Sequence, residues 1–356
     1  MLGSKKFILL GLGLAIIFLV YLVLLPRIAA YYTEQGRVLH NAQNFEEAQK
    51  KLEFSLKLNS RDPLAHAYLG SNYLGRRDPD GADYYPDADY SQAIAHCEKA
   101  LASGLDKHEK QSVYRQTLER LTHSYRELKQ YDKMAEIALR AIKSFPENSF
   151  WPRYFLAEHY FNRANKPQEA LFALKDVVPT IQSNDPTKVR MLPHVSLLIS
   201  RLYIYFEEFD KAKEYANLAI SFSDPKNNKQ DIQIAHNLLA IVAGSRGDFT
   251  LAREEIKKAE GSDVGSQQCV LAQSYFLGKN YSQAVATAQS VKVYANDYLK
   301  SICLAALAQV ELAKDNSKAA RMRMEEYMLV TDGMVNKNVF VTRYREQFAG
   351  LLRSSL

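Results

Sequence analysis

The chain has 356 residues, 47% hydrophobic and 24% charged, the balance of an ordered protein rather than a disordered tail. Its 46 basic and 40 acidic side chains leave a net charge of +6 spread thinly, with no run of five like charges, which excludes a nucleic-acid-binding stripe. With only 11 prolines and 15 glycines there is little room for a turn-dense β fold, and the abundance of alanine, leucine, glutamate and lysine favours helices.

Residues 1–6 form a short tail carrying Lys5 and Lys6. Residues 7–25, FILLGLGLAIIFLVYLVLL, contain no charge, and as a helix they would extend about 28 Å, close to the hydrocarbon thickness of a bilayer. A cleaved signal peptide has a shorter apolar region and a small-residue cleavage site, matched here only loosely by RIAAYY. The sequence therefore predicts one transmembrane signal anchor ended by Pro26 and Arg27. The positive-inside rule places the N-terminus in the cytoplasm and the remainder outside it, in the periplasm or extracellular space, with a cytoplasmic repeat domain as the alternative.

From residue 28 onward the chain is self-similar. LYIYFEEFDKAKEYANLAI (202–220) has Tyr203, then Phe209 six residues later, Ala212 three further on, and Ala216. Tyr275, Tyr281, Ala284 and Ala288 repeat those offsets, as do Tyr125, Tyr131, Met134 and Ala138. Phe249, Ala252 and Ile256, and Leu39, Phe45, Ala48 and Leu52, follow the same grammar. Each unit reads as two amphipathic helices joined by a short turn, with a small residue where they cross closely. Helix starts are expected at Asp62-Pro63, Asn148-Ser149, Asp185-Pro186 and Asp224-Pro225. Taking Ala319 for the eighth unit, the small positions fall at 48, 93, 134, 170, 212, 252, 284 and 319, about 39 residues apart on average.

The pattern resembles the tetratricopeptide repeat: AYLGSNY supplies Leu69, Gly70 and Tyr73, followed by Ala93, and the third unit ends at Pro146. The resemblance implies an all-α fold, a right-handed α-solenoid of about eight helix-turn-helix repeats over 28–332. A last amphipathic segment, 338–353, is expected as a C-terminal capping helix. In this family the first helix of each unit lines a concave groove. Mapped onto this chain, the groove presents His123, Arg126, Tyr154, Glu158, Phe161, Asn162, Arg201, Tyr205, Asn237 and Gln273. Aromatic and hydrogen-bonding groups in that mixture suit an extended peptide or a partner helix.

The second unit is interrupted by RRDPDGADYYPDADY, residues 76–90, which sets Tyr90 17 positions after Tyr73 where other units have an offset of six. Asp78, Asp80, Asp83 and Asp89 are candidate oxygen ligands for calcium, but the EF-hand template fails at its glycine, where Asp83 stands. An exposed insertion is the preferred reading of this stretch. Cys269 and Cys303 are 34 residues apart, about one repeat, and fall on neighbouring helices; spacing alone does not establish a disulfide. No nucleotide-binding, zinc-protease or serine-hydrolase motif occurs, and no catalytic residue or cofactor is expected. The sequence thus predicts a non-enzymatic, membrane-tethered protein-interaction scaffold that binds a peptide or partner protein and helps assemble a membrane-associated complex. Its alternative is a calcium-binding sensor or enzyme component acting through loop 78–89.

Overall fold

A computed structural model describes residues 18, 23–75, 88–175, 177–180, 186–259, 264–291, 297–334 and 337–354. The helices are α1 (Leu25–Asn41), α2 (Phe45–Leu58), α3 (Pro63–Leu74), α4 (Tyr90–Ala102), α5 (Gln111–Glu127), α6 (Tyr131–Ser144), α7 (Phe150–Asn162) and α8 (Pro167–Leu174). They continue as α9 (Pro186–Tyr205), α10 (Phe209–Phe222), α11 (Lys229–Ser245), α12 (Phe249–Lys258), α13 (Val264–Leu277), α14 (Tyr281–Gln289), α15 (Asp297–Ala313), α16 (Ser317–Asp332) and α17 (Val339–Ser354). The fold is all-α: antiparallel helix pairs resembling tetratricopeptide repeats, followed by the single helix α17. Two compact units are formed, 1–155 and 156–356, with the boundary inside α7.

One turn chemistry recurs from pair to pair. The residue that opens the second helix donates its N–H to the carbonyl five positions back: Asn44 to Leu39, Gln130 to Tyr125, Glu208 to Tyr203, Asp248 to Ala243, Asn280 to Tyr275 and Asn316 to Glu311, all at 2.8–3.1 Å. These bonds satisfy carbonyls that the end of the first helix leaves without an intrahelical partner. Closure requires a left-handed residue just before the second helix, and Gln43, Lys129, Asn165, Glu207, Gly247, Lys279 and Asp315 all have φ between 50° and 78°. Only one of those seven is glycine. A side chain there carries a steric cost of roughly 1–2 kcal/mol, part of which glycine would return through its freer unfolded state. Lys279→Gly is therefore expected to stabilise the protein by about 0.5–1 kcal/mol, read as a higher urea midpoint at unchanged slope.

Four residues past each of these six helix-opening positions, and past Asp89 and Lys166, which open α4 and α8, the side chain is small or slender and buried: Ala48, Ala93, Met134, Ala170, Ala212, Ala252, Ala284 and Ala320 are each at most 1% exposed. The eighth position is thus Ala320 rather than Ala319, which is only partly buried. The first helices approach these sites closely. A Cβ on Gly36 would lie 2.5 Å from Leu52 Cγ, and one on Gly70 would lie 2.6 Å from Cys97 Sγ and 3.1 Å from the Ala93 carbonyl oxygen.

Two further expectations need correction. The segment 7–25 was expected to cross a membrane, but among the described residues no helix is long and apolar enough to do so. That finding overturns the transmembrane signal anchor and the single-pass topology built on it, with its cytoplasmic N-terminus and repeat domain beyond the membrane. Residues 7–17 and 19–22 lie outside the described residues. Pro26 sits in the first turn of α1, a position proline favours, and the chain is helical on both sides of it, so it does not end a helix. That helix carries Arg27, Glu34 and Arg37 and buries Ala29, Thr33 and Gly36, a pattern suited to packing in the first pair. Asp224-Pro225 likewise does not start a helix. Asp224 closes a tight turn, accepting from the N–H groups of Asn227 and Asn228, and α11 begins at Lys229.

In unit 1, residues 1–155, the core runs through Leu52, Leu69, Leu105, Leu118 and Ala141. In unit 2 it runs through Ala212, Ala216, Ala235, Ala240 and Ala252, with larger residues such as Ile204, Leu238 and Ile241 around them. Cys269 on α13 and Cys303 on α15 form a disulfide with their Cα atoms 5.4 Å apart.

Candidate functional site

The first helices of successive pairs in unit 2 turn one face inward together. Arg201 and Ile204 of α9, Ile234, Asn237, Leu238 and Ile241 of α11, Val270, Gln273 and Phe276 of α13, and Tyr298, Ser301, Ile302 and Ala306 of α15 line one cavity of about 210 Å³. Tyr327 of α16 and Phe340, Val341 and Tyr344 of α17 complete its wall. Three residues expected from sequence to face a ligand, Arg201, Asn237 and Gln273, therefore share one cavity.

The polar groups of this cavity are incompletely used. Among the described residues Arg201 pairs with no carboxylate, and Asn237 Oδ1 is buried with no hydrogen-bond partner. Buried amide oxygens are nearly always satisfied, and this one lines the same cavity as a guanidinium that also has no partner among the described residues, so both can receive a polar group from a ligand. The Tyr327 hydroxyl, by contrast, is committed, donating to the Val341 carbonyl at 3.0 Å. Burial raises the Tyr327 and Tyr344 phenols above the usual tyrosine value, so both remain neutral groups.

The remaining sequence-predicted residues have different surroundings. Phe161 of α7 and Tyr205 of α9 both meet the ring of Phe340, at centroid distances of 6.1 and 5.6 Å. Glu158 and Asn162 are partly exposed on α7. In unit 1, Arg126 lies over the Phe155 ring at 4.6 Å and 3.2 Å from Glu127, and Tyr154 packs at an angle to Phe155. His123 is 5% exposed, sits between the rings of Tyr90 and Phe155, and holds its Nε2 3.9 Å from Glu127 Oε1. The lining that sequence reasoning missed, Tyr298, Ser301, Tyr327 and the α17 residues, comes from the last pair, whose repeat aromatics are absent, and from a helix expected only at the array's end.

Of the calcium candidates, Asp78, Asp80 and Asp83 lie outside the described residues. Asp89 caps α4, accepting from the Gln92 N–H at 3.0 Å, and its own N–H donates to the Tyr73 carbonyl at 2.9 Å. That last bond is the pair-closing bond found elsewhere, here spanning 16 residues instead of five, so eleven residues are inserted without disturbing the hairpin. Among the described residues no group of three metal-ligating side chains exists.

A histidine pair in unit 1 is the strongest acid-sensitive feature. His66 Nδ1 and His96 Nδ1 are 3.0 Å apart, and Tyr73 stacks on His96. Burial, and then the neighbouring imidazole, push His96 down to about 4, while burial also lowers His66 and His40. Unfolded histidines take up protons near pH 6.5, so between that value and about 4 the unfolded chain holds more protons than the folded one. Stability is full above pH 6.5 and falls as the pH drops toward 4. After discounting for partial exposure, His96 contributes a loss of about 1–2 kcal/mol. Thermal unfolding between pH 7 and 4.5 checks this: His96→Gln is expected to show a flatter pH dependence than the parent.

No family model matches the chain, and no curated protein matches it. Similar solved structures include PilF of Pseudomonas aeruginosa, 17% identical, with a TM-score of 0.46 over 66% of this chain and 94% of that one. YrrB, described as a TPR protein with an unusual peptide-binding site, is 20% identical, with a TM-score of 0.42 over 57% of this chain and 88% of its own. A tetratricopeptide repeat protein from Parabacteroides merdae is 13% identical, with a TM-score of 0.42 over 78% of this chain and 98% of its own.

Proposed function

We propose that the protein is a non-catalytic interaction scaffold that binds a peptide or a segment of a partner protein along the inward face of its first helices. The observation that carries this reading is the unit 2 cavity, where Arg201, the orphaned Asn237 Oδ1 and Gln273 converge among apolar and aromatic walls. Such a mixture recognises a chain segment bearing an apolar side chain and a hydrogen-bonding or acidic group beside it. Other positions on the inward face supply complementarity, since few residues dominate an interface.

Affinity capture from the native source, with the parent chain and with Arg201→Glu, tests the reading. The parent should recover a partner that the variant loses by tenfold or more while keeping its helical circular dichroism. Equal recovery by both would rule out this face as the binding surface.

A further inference from the structure

Helix α17 does more than follow the last pair. Its C-terminal half packs on α16, with Phe348 set edge-on to Tyr327 at 5.1 Å, and the Gln347 Oε1 accepts from Gln309 Nε2 of α15 at 3.3 Å. Its N-terminal half reaches α9 and α7. Phe340 meets Tyr205 and Phe161, the Arg343 Nη1 donates to the Tyr205 carbonyl at 3.1 Å, and the Arg343 Nη2 lies 3.3 Å from Glu207 Oε1. Glu346 accepts from Asn165 at 3.5 Å. Sixteen residues, about 24 Å of helix, thus lie across the inward faces that the sequence marks for a ligand.

The fit of the N-terminal half is incomplete. Permanent core is packed to crystal-like density and its polar groups are satisfied. Phe340, Val341 and Tyr344 line the 210 Å³ cavity rather than filling it, and Arg201 and Asn237 Oδ1 have no partner there among the described residues. Toward α7 and α9 the polar contacts of this half, through Arg343 and Glu346, are exposed and therefore weak, whereas its more buried hydrogen bonds, from Tyr327 to the Val341 carbonyl and from Arg345 to Thr331, go to α16.

Building on the scaffold reading above, we infer that α17 occupies in cis the site that a partner's amphipathic helix takes in trans, masking it until displaced. The partner helix repeats the α17 pattern of aromatics at four-residue spacing, as in Phe340, Tyr344 and Phe348, with a basic residue facing Glu207. It adds a polar or acidic group for Arg201 and Asn237. A tethered occupant competes at an effective concentration in the millimolar range, so the free face is exposed for only a fraction of the time and apparent affinity falls by that fraction.

The test uses the full chain and a fluorescein-labelled peptide of residues 337–354 as probe. Phe340→Ala with Arg343→Ala loosens α17 in cis while the probe keeps both side chains. Anisotropy should show the probe binding the loosened chain at least tenfold more tightly than the parent. Hydrogen exchange on the parent, which needs no variant, should show the α17 amides exchanging at least tenfold faster than those of α15. Equal probe binding by two folded chains, or α17 amides as slow as those of α15, overturns the masking; if the loosened chain does not fold, the exchange result decides. Capture of a partner through Arg201 alongside slow α17 exchange would leave the scaffold reading intact and remove only the masking. Tight probe binding with no Arg201-dependent partner would support the masked helix site and remove the partner assignment.

Discussion

Asp62→Ala is expected to destabilise unit 1 by about 2–3 kcal/mol, because one carboxylate caps one helix and holds a second. Asp62 Oδ1 accepts from the N–H groups of Leu64 and Ala65 at 2.9 and 3.2 Å, capping α3. Loss of such a cap costs about 0.5–2 kcal/mol. The Asp62 Oδ2 accepts from Thr33 Oγ1 of α1 at 2.8 Å, and Ser55 Oγ of α2 lies 2.8 Å from the same hydroxyl while also donating to the Ala29 carbonyl. Thr33 and Ser55 are 4% and 0% exposed, so water cannot take over Asp62's part. A hydrogen bond to a charged group contributes about 1.5–3 kcal/mol. Thr33 can turn to Ser55 when Asp62 is gone, which holds the sum below the two upper bounds. Asp62→Asn keeps the cap acceptor and offers the Thr33 oxygen an amide donor, so it should recover all but about 1 kcal/mol of the loss. Urea unfolding of the three chains measures both effects. An alanine variant within 0.5 kcal/mol of the parent would mean that the network adds little beyond helix propensity.

Asp62-Pro63 was legible because an N-cap followed by proline is a local signal whose meaning seldom depends on distant residues. The recurring aromatic-to-aromatic offset of six was legible for a related reason. The closing bond between Glu208 N–H and the Tyr203 carbonyl, and its counterparts, tolerates few loop lengths, so any departure stands out as an insertion. Local signals failed where another structure satisfied them. Asp224-Pro225 has the chemistry of a helix start, but the Asp224 carbonyl and carboxylate serve a turn that precedes α11. The eighth pair lacks the aromatics that fix the register elsewhere, so its sequence points to Ala319 where the structure buries Ala320. The apolar run 7–25 has the composition of a membrane span, yet composition could not show that the helix beginning at Leu25 belongs to the first pair. For the site, first-helix positions led to Arg201, Asn237 and Gln273, whereas the amphipathy of 338–353 revealed that one face is buried without revealing against what. Destination is a tertiary property, set here by Phe340 meeting Tyr205 and Arg343 meeting Glu207.

Opening the Cys269–Cys303 disulfide is expected to cost about 2–4 kcal/mol of stability. Both cysteines are fully buried, and the bond closes a 34-residue loop joining α13 to α15. Cross-linking a loop of that size removes unfolded-state entropy worth roughly 3–4 kcal/mol, from which any strain in the folded state subtracts. The third cysteine will not complicate the measurement: Cys97 is free and buried, and burial pushes its thiol up to about 12, so it is a poor nucleophile for exchange. Urea unfolding followed by circular dichroism, with and without a phosphine reductant, should show the midpoint fall on reduction. Cys303→Ala should show a comparable fall that the reductant does not deepen. The consequence extends to the cavity, because Gln273 lies one turn beyond Cys269 on α13 and Ser301 lies just before Cys303 on α15. The crosslink therefore joins two of the helices that line the cavity. Reduction below the unfolding midpoint should accordingly speed amide exchange in both helices even while the chain stays folded, and unchanged exchange there would mean that packing alone holds the two walls together.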